Sequence, residues 1–283
     1  MIFASIIIPA HERTVWISSL IQSLHLELGA RTDVEVIVVD DGSREAIGAR
    51  HLGGDLRVSL FRLEESVGPA AARNFGVTQA QGELLLFLDD DGEVAPGWLQ
   101  AMLDAHEADT ILLGNVVDFE GDRVQSVPRC ATFLGKSLAC RPDQANTGPS
   151  CNLGVPRACF EALGGFDEEI PYYFEDSDLC IRARRAGFAF RFVEGAVFRH
   201  HGSEVKTGEA VYMQEHNSTY AMLKVYTASP SRRALFALAN GLWMALRLVT
   251  WTLAGRPADA QRLFRGWRTA HIRFARRRTN TDR

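Results

Sequence analysis

The sequence predicts an α/β protein, with a Rossmann-like, mostly parallel sheet flanked by helices and a helical extension at the C-terminus. Short β-branched and Leu-rich runs alternate with segments of helical spacing over the first hundred residues. These runs are apolar on both faces, which is typical of parallel strands covered by helices. The 283 residues, 46% hydrophobic and 23% charged, are enough to bury the core of a soluble enzyme.

The first half supplies four strands and two helices in order. "FASIIIPA" reads as a strand that Pro9 ends, and residues 14–29 have helical spacing with Gly29 as the C-cap. "VEVIVVDDGS" and "LRVSLFRLEE" are the second and third strands. "VGPAAARNFGVTQAQG" predicts a helix closed by Gly82, and "ELLLFLDDD" is the fourth strand.

The second half is less regular. "ILLGNVVDF" and "AFRFVEGAVF" predict strands, and "PRACFEALGGF" predicts a short helix that ends at Gly164-Gly165. Near the C-terminus, 13 uncharged residues run from Ala234 to Leu246 before Arg247 interrupts them. A spanning helix needs about 20 apolar residues, so a helix with a central Arg is better suited to the membrane interface.

Charge is spread unevenly along the chain. Residues 256–283 hold nine Arg against two Asp, a local charge of +7, whereas residues 1–255 carry about −11. Such a tail can bind anionic lipid or nucleic acid. Its apolar neighbour favours lipid, so we expect peripheral membrane contact through residues 234–283 and no nucleic-acid partner.

Cysteine usage and the N-terminus indicate the compartment. Five cysteines without a CxxC pair argue against a disulfide framework or a zinc site and fit a reducing environment. "MIFASIIIPA" has no basic leader and enters a strand at once, which predicts no signal peptide. We therefore expect a cytoplasmic protein, with peripheral contact at the inner face of the membrane.

Acidic residues follow several of the predicted strands. Asp40-Asp41 and Asp89-Asp90-Asp91 each end an apolar run, and the first strand ends in "PAHE". Ligands of parallel sheets bind beyond the carboxyl ends of the strands, and carboxylates there can hold Mg²⁺ or Mn²⁺ together with substrate phosphates. Acidic turns would explain the same residues. Neither GxGxxG nor a Walker A loop is present, which disfavours nicotinamide enzymes and P-loop ATPases.

Three further features could carry chemistry. Glu175-Asp176 opens an amphipathic segment, where carboxylates are either ordinary helix N-terminal residues or a general base. Arg73 is either a surface residue or a cation directed toward the strand ends. His200-His201 closes a strand and is either structural or a source of one metal ligand.

Six blocks in order resemble the family 2 glycosyltransferases, which have the GT-A fold. The similarity covers roughly residues 3–202, and each block is weak alone, whereas the ordered set is specific. The blocks are "SIIIPAHER", "VIVVDDGS", "GPAAARNFG", "LLLFLDDD", "NLGVPRACFEALGGFDEE" and "YFEDSDLCIRARRAGF".

This resemblance implies roles for particular residues. It places Asp91, with Asp89 nearer the ribose, in a DXD metal motif that His200 or else His201 completes. It makes Asp176, next to Glu175, the catalytic base. The residues implied on the nucleotide side are Pro9, His11, Glu12, Asp40, Asp41, Gly68, Arg73, Asp89 and Asp90, and those on the acceptor side are Gly165, Phe166 and Asp167.

The implied activity is inverting transfer of one sugar by a hexosyl- or deoxyhexosyltransferase that uses Mg²⁺ or Mn²⁺. The donor would be a UDP- or dTDP-sugar and the acceptor a hydroxyl of a glycan or lipid-linked molecule, in cell-surface polysaccharide or glycoconjugate synthesis. No QxxRW motif is present, which argues against a processive synthase. Residues 1–92 would form the nucleotide-sugar half, 93–205 the acceptor and catalytic half, and 206–283 the basic helical extension.

Two alternative functions are compatible with the same fold class. A sugar nucleotidyltransferase would need a Gly-rich, basic phosphate loop after the first strand, which "PAHERTVW" does not supply. A catalytically inactive protein that binds the membrane surface would not need the acidic residues Asp91 and Asp176, and both are present.

Overall fold

A computed structural model describes residues 1–53, 57–119, 124–126, 128–201, 208–226 and 228–281. Strands and helices alternate in the first part of the chain, as the apolar runs predict. Their bounds are β1 Ala4–Ala10, α1 Thr14–Leu28, β2 Val34–Asp40, β3 Val58–Arg62, α2 Pro69–Gln79 and β4 Leu84–Leu88.

The rest of the chain completes the sheet and adds a group of helices. The elements of the middle part are β5 Gly92–Val94, α3 Trp98–Asp104, β6 Thr110–Asp118, β7 Val124–Ser126, β8 Arg129–Ala131, β9 Ser137–Ala139, β10 Asn152–Pro156, α4 Arg157–Leu163, α5 Glu175–Ala186 and β11 Ala189–His200. Three long helices follow, which are α6 Gly208–Val225, α7 Pro230–Leu253 and α8 Pro257–Thr281.

One large sheet joins both halves of the chain, in the order β3-β2-β1-β4-β10-β6-β11-β5, with β7 beside β6. Strands β1 to β4 pair in parallel, and β10 is inserted antiparallel between β4 and β6. Because β11 is parallel to β6, the carboxyl ends of β1, β2, β4 and β11 all meet at one edge. The mostly parallel sheet is confirmed, with β5, β7 and β10 as antiparallel exceptions.

The central strands β1, β4 and β10 are buried on both faces. In β1, Ile6 and Ile8 pack in the apolar layer that includes α1 and α3, whereas Ile7 points to the opposite layer with α2, α4 and α5. Each fully buried side chain of this size contributes about 1.5–3 kcal/mol. The alternation explains why β1 is an uninterrupted apolar run rather than an alternating pattern.

Two of the predicted helix ends are confirmed and one is wrong. Gly29 caps α1 with a positive φ of 47°, and Gly164 caps α4 in the left-handed region. Helix α2, however, ends at Gln79, and Ala80 rather than Gly82 is its cap. Gly82 instead donates its amide to Ser5 Oγ at 2.8 Å, where the chain passes close to β1 before it enters β4.

The three C-terminal helices pack against α5 through a further apolar cluster that contains Ile181, Tyr220, Phe236 and Ala270. Among the described residues, α7 is long and apolar enough to cross a membrane by length and composition, and 17% of its most apolar window is buried.

The two polar residues that interrupt the apolar run of α7, Asn240 and Arg247, lie on its protein-facing side. Asn240 is 2% exposed and donates to Thr219 Oγ1 at 3.4 Å, and Arg247 pairs with Glu215 at 2.5 Å. The opposite face is an exposed apolar stripe formed by Leu235, Leu238, Leu242, Leu246, Val249 and Leu253. Arg247 therefore interrupts the apolar run in the sequence but not the apolar face of the helix.

Candidate active site

A cavity of about 530 Å³ opens at the edge where the strands end. We call it the strand-end cavity. It brings together most of the residues that the sequence singled out, although they lie far apart in the chain. The lining includes Pro9, His11, Arg13, Asp41, Arg73, Asp89, Asp90, Asp91, Tyr172, Tyr173, Phe174, Glu175, Asp176 and His200.

Strand register brings His200 to Asp91. The chain turns back directly after Asp91 into β5, which pairs antiparallel with β11 so that Gly92 lies opposite His200. A Cβ on Gly92 would lie 2.3 Å from the ring of Phe198, so this crossing requires glycine. The consequence is that His200 Nε2 lies 3.0 Å from Asp91 Oδ1.

Asp89, Asp91 and His200 form a set of donors suited to a divalent cation. Each offers one ligand atom, and these atoms lie within 4.8 Å of one another. Carboxylate oxygens suit Mg²⁺ and Mn²⁺, and one added imidazole shifts the set toward the transition metal. The residues present therefore fit the metal that the sequence predicts.

Two arginines already neutralise these carboxylates. Arg73 Nη2 contacts Asp89 Oδ1 at 2.5 Å, and Arg13 pairs with both Asp90 and Asp91. Asp90 also accepts the His11 amide at 3.1 Å, which fixes its carboxylate against the end of β1. The carboxylate of Asp90 thus accepts hydrogen bonds from Arg13 and from the His11 amide, whereas Asp89 and Asp91 lie next to His200.

Burial and neighbouring charges separate the pKa values of these groups. Burial raises the pKa of Asp90 to about 7, and Arg13 opposes that shift only in part. Burial has the same tendency at Asp91, but His200 and Arg13 outweigh it and lower the pKa of that carboxyl. For His200, burial is outweighed by Asp91, which raises the imidazole pKa. Asp91 and His200 therefore favour their charged forms together.

Arg73 is a buried cation rather than a surface residue. Its side chain is 2% exposed, with Asp89 on one side and Glu175 Oε1 at 3.2 Å on the other. Helix α2 carries it close to the sheet because Gly76 leaves room: a Cβ there would lie 2.6 Å from Ile7. Arg73 thereby connects the end of β4 to the start of α5.

The start of α5 is presented by a strained loop. Tyr173 and Phe174 have φ values of 54° and 88°, in the left-handed region that costs a non-glycine residue roughly 1–2 kcal/mol. Asn217 of α6 stabilises this conformation, because its Nδ2 donates to the carbonyl oxygens of Tyr172 and Tyr173. Glu175 and Asp176 follow as the first turn of the helix.

The environment of Asp176 raises the pKa of its carboxyl. Burial raises its pKa, and this effect exceeds the opposing contributions of the Ser177 amide and Arg73. The helix N-terminus would by itself stabilise the carboxylate. Burial likewise raises the pKa of Glu175 to about 7, and the charge of Asp176 adds to the shift. A carboxyl with a raised pKa, half-buried in a cavity, is suited to general-base chemistry.

The nucleotide-side residues divide into two groups. Asp41 lines the cavity, with its carboxylate held by the amides of Val67 and Gly68 at 2.8 and 3.0 Å. Asp40 and Glu12 do not line it. Asp40 is fully buried, and its oxygens are occupied by the Ser43 and Ile47 amides and by Arg62.

Glu12 is exposed and pairs its carboxylate with the Arg44 amide at 2.8 Å. Asp40, Glu12 and Gly68 thus lie outside the lining of the cavity, and their contact with a nucleotide stays a prediction. Asp40 and Gly68 stabilise the site without lining it. Asp40 accepts a hydrogen bond from the turn after β2, and the Gly68 amide donates to the carboxylate of Asp41.

The acceptor-side residues also lie elsewhere. Phe166 is 2% exposed, between the rings of Phe87 and Phe160 at 5.1 and 5.7 Å, and Asp167 pairs with Lys224. The turn at Gly165 directs Phe166 into the core, so these three residues lie outside the lining of the strand-end cavity, and their contact with an acceptor stays a prediction. They join α4 to α2 and α6 instead.

The two adjacent histidines have different surroundings. His200 lies in the carboxylate cluster, whereas the ring of His201 stacks between Trp16 and Phe119 at 3.7 and 3.6 Å. His201 also donates its amide to the Asp91 carbonyl at 2.9 Å. This geometry favours His200 as the metal ligand.

Sequence reasoning missed several residues of the site. Arg13 was part of the "PAHER" block, but its pairing with Asp90 and Asp91 depends on the path of the chain after β1. Tyr172 to Phe174 and Asn217 gave no signal beyond an aromatic run and an Asn within a helix. Their roles arise from contacts between segments more than 40 residues apart.

Comparison with known proteins agrees with this geometry. Residues 5–161, more than half of the chain, match the model of "Glycosyl transferase family 2". A pre-mycofactocin glycosyltransferase of Mycobacterium tuberculosis is 26% identical over 95% of this chain, which spans 59% of that protein's length. Against a relative from Sinorhizobium fredii the chain spans only 24% of the length.

Solved structures share the fold. The chain matches S. aureus TarS 1-349 in complex with UDP with a TM-score of 0.57 and 20% identity, covering 97% of this chain and 92% of the other. It matches the mannosyltransferase PcManGT of Pyrobaculum calidifontis, in complex with GDP-Man and Mn²⁺, with a TM-score of 0.58 and 17% identity over 96% and 86%. The chain therefore belongs to glycosyl transferase family 2 and has the GT-A fold.

Proposed function

We propose that the protein is an inverting, metal-dependent glycosyltransferase that moves one sugar from a nucleotide-diphosphate sugar to a hydroxyl of a glycan or lipid-linked acceptor. The observation that carries this proposal is a single cavity that holds both the Asp89–Asp91–His200 cluster and Asp176. The first is suited to a divalent cation, and the second to accepting a proton.

Asp91 and His200, together with Asp89, would hold Mn²⁺ or Mg²⁺, and the bound cation would neutralise charge on the diphosphate leaving group. Arg73 fixes the carboxylate of Asp89 from the buried side. Asp41, held by two backbone amides, offers a fixed acidic group on the same wall for the nucleotide.

Asp176 is the proposed general base. Its carboxylate would accept the proton of the acceptor hydroxyl as that oxygen attacks the anomeric carbon. Burial raises its pKa, so the carboxylate is a stronger base than an exposed Asp. Tyr172, Tyr173 and Phe174 line the same part of the cavity and would exclude water from the attack.

The nature of the donor is supported by the relatives. The solved structures that share this fold include one in complex with UDP and one in complex with GDP-Man and Mn²⁺. A nucleotide-diphosphate sugar is therefore the donor class that we propose, with UDP- and dTDP-sugars as the first candidates. The conserved shape of the fold does not select among sugars.

Peripheral membrane contact through residues 234–283 is the second part of the proposal. The apolar stripe of α7 is exposed. The following helix, α8, adds positive charge through exposed arginines, among them Arg265, Arg268 and Arg276. An apolar face beside cationic side chains suits the interface of an anionic bilayer. Leu242→Glu should abolish sedimentation with phosphatidylglycerol vesicles, and binding that survives this change would remove the stripe from the proposal.

A panel of UDP-, dTDP- and GDP-sugars tests the activity directly. We expect one of them to be hydrolysed in the presence of Mn²⁺, with water replacing the acceptor, and hydrolysis to stop when EDTA is added. A sugar nucleotidyltransferase would instead release pyrophosphate from a nucleoside triphosphate and a sugar phosphate. Pyrophosphate release without donor hydrolysis would overturn the proposal.

A further inference from the structure

A second cavity lies beside the strand-end cavity. It measures about 770 Å³ and is enclosed by the β8–β9 hairpin and by α6, α7 and α8. We call it the helical cavity. The two cavities share Phe174, Ser177 and Gln214 as lining residues, so they adjoin at the residue that follows Asp176. A molecule in the helical cavity would therefore approach the proposed base from the side of the C-terminal helices.

The helical cavity carries excess positive charge. The lining residues that the structure describes include three cations, Lys136, Arg247 and Arg256, and a single acid, Glu215, while Arg256 pairs with Asp259 at 3.0 Å outside the lining. Glu215 is 2% exposed and pairs with both Lys136 at 3.4 Å and Arg247 at 2.5 Å. One buried carboxylate thus serves two cations, and the local balance favours binding of an anion.

The pKa of Lys136 agrees with this excess of positive charge. Burial lowers the pKa of its ammonium group, and Arg247 works in the same direction against the opposing effect of Glu215. This half-buried ammonium shares its one carboxylate with a guanidinium and otherwise donates to Ser218 Oγ at 3.4 Å, so its set of acidic partners is incomplete. An anionic group from a ligand would complete that set.

The opposite wall of the cavity is apolar and aromatic. Trp243, Leu246 and Trp251 line it, and the guanidinium groups of Arg247 and Arg256 lie over the Trp251 ring at 5.0 and 4.5 Å. Leu246 also belongs to the exposed apolar stripe of α7 and is 55% exposed. The cavity is therefore continuous with the stripe, and an apolar chain that leaves it would lie against the exposed leucines of α7.

We infer that the helical cavity binds an amphiphile, with an anionic group held by Lys136 and Arg247 and an apolar chain that runs past Leu246 along α7. This inference rests on the proposed function and narrows it, because such a molecule would be the acceptor. Its chemical class is a phosphorylated or otherwise anionic lipid-like molecule that bears a free hydroxyl. The contact expected at Gly165, Phe166 and Asp167 is thereby replaced by one on the other side of Asp176.

Calorimetric titration of the full chain with decyl phosphate, kept below its micelle concentration, tests the inference. Inorganic phosphate supplies the anion without the chain, and decanol supplies the chain without the anion. We expect decyl phosphate to bind at least about tenfold more tightly than either, because both walls of the cavity contribute. Equal affinity of all three probes would overturn the inference.

Two variants test whether decyl phosphate binds in the helical cavity. Arg247→Gln should weaken decyl phosphate binding about tenfold or more, the usual effect of losing a charged hydrogen bond. Trp243→Ala, at a 39% exposed position that tolerates truncation, provides a second test if Arg247→Gln is unstable. The matched control is Arg44→Gln, a change at a 96% exposed side chain outside the cavity, which should bind like the wild type.

Vesicles distinguish the source of the head group. Binding of soluble decyl phosphate that Arg247→Gln weakens supports the cavity, whether or not phosphatidylglycerol vesicles also bind. Binding to vesicles alone, with no soluble complex, would overturn the inference in favour of simple membrane attraction. Donor hydrolysis with Mn²⁺ in the absence of decyl phosphate binding would reject this inference only. Decyl phosphate binding without hydrolysis of any sugar nucleotide would reject the proposed function only.

Discussion

The strand-end cavity and the helical cavity are built in different ways. The first depends on backbone register: Gly92 opposite His200 places the imidazole beside Asp91, and the sheet itself holds both. The second depends on side-chain contacts, in which Glu215 joins Lys136 to Arg247 between a hairpin and three helices.

This difference has a functional meaning. A site for a nucleotide diphosphate and a metal can be fixed by strand ends, because the diphosphate group is common to nucleotide-sugar donors that differ in their base or sugar. A site for an acceptor has to match a particular molecule, and helices joined by side-chain contacts can be changed one residue at a time. The loop of Tyr172 to Phe174, which Asn217 stabilises through hydrogen bonds, lies where the two cavities meet.

The largest effect is expected at that meeting point. Asp176→Asn removes the proposed base without changing the shape of the side chain, so donor hydrolysis and transfer should fall about 10²- to 10⁴-fold. Nucleotide binding should be unchanged, since the Asp89–Asp91–His200 cluster is intact. Steady-state rates and UDP titrations check both parts, with the exposed Asp143→Asn as a control. A variant that retains full rate would exclude Asp176 as the base.

Gly92→Ala tests whether register builds the strand-end cavity. The added Cβ would lie 2.3 Å from Phe198 and 2.5 Å from the Arg199 carbonyl, so β5 must shift away from β11. We expect the free energy of unfolding to fall by about 1–3 kcal/mol and Mn²⁺ binding to weaken. Gly195→Ala is the matched control on β11, because its Cβ would meet only Ala101 at 3.6 Å. Equal urea stability of the two variants would contradict this account of the site.

Asn217→Ala tests the support that α6 gives to the loop. Loss of its side-chain amide leaves the carbonyls of Tyr172 and Tyr173 without this donor, an effect of roughly 1–3 kcal/mol. Because the strained loop positions Asp176, kcat should fall about tenfold while UDP affinity stays the same. Glu209→Gln changes an exposed side chain at the start of α6 and should leave kcat unchanged. A parallel loss of UDP affinity would show that the two cavities are not built separately.

The smallest expected effect is on the pH dependence of stability. Burial raises the pKa of Glu175 from its ordinary 4.5 to about 7, so in that interval the folded protein keeps a proton that the unfolded chain loses. The free energy of unfolding should therefore fall as the pH rises from 4.5 to about 7. Glu175→Gln should flatten this slope in urea titrations, whereas Glu161→Gln on the surface should not. An unchanged slope would mean that Glu175 is ionised throughout.

The two cavities also differ in how much of each could be predicted from the sequence. Strand ends are local features, so the apolar runs and their terminal carboxylates were enough to predict the sheet and the position of Asp41, Asp89 and Asp91 at its edge. Asp40 does not line the cavity beside Asp41, because adjacent residues at a strand end point in opposite directions. The pattern alone does not tell which of the two faces the cavity.

The acceptor side could not be predicted from local patterns. Phe166 in "GGFDE" looks like a binding-site aromatic, but its burial depends on Phe87 and Phe160. The helical cavity joins a hairpin near residue 136 to helices a hundred residues later, which no spacing in the sequence reveals. Only the length and apolar character of α7 were visible in advance.

The most direct test of the account is a titration of Mn²⁺ followed by its electron paramagnetic resonance signal, in the presence of UDP. Wild-type protein should remove the signal of free Mn²⁺ in proportion to one site, and Asp91→Asn should leave most of it. The exposed Asp143→Asn should behave like the wild type. Failure of the wild type to bind Mn²⁺, or full binding by Asp91→Asn, would contradict the assignment of Asp89, Asp91 and His200 as the metal site.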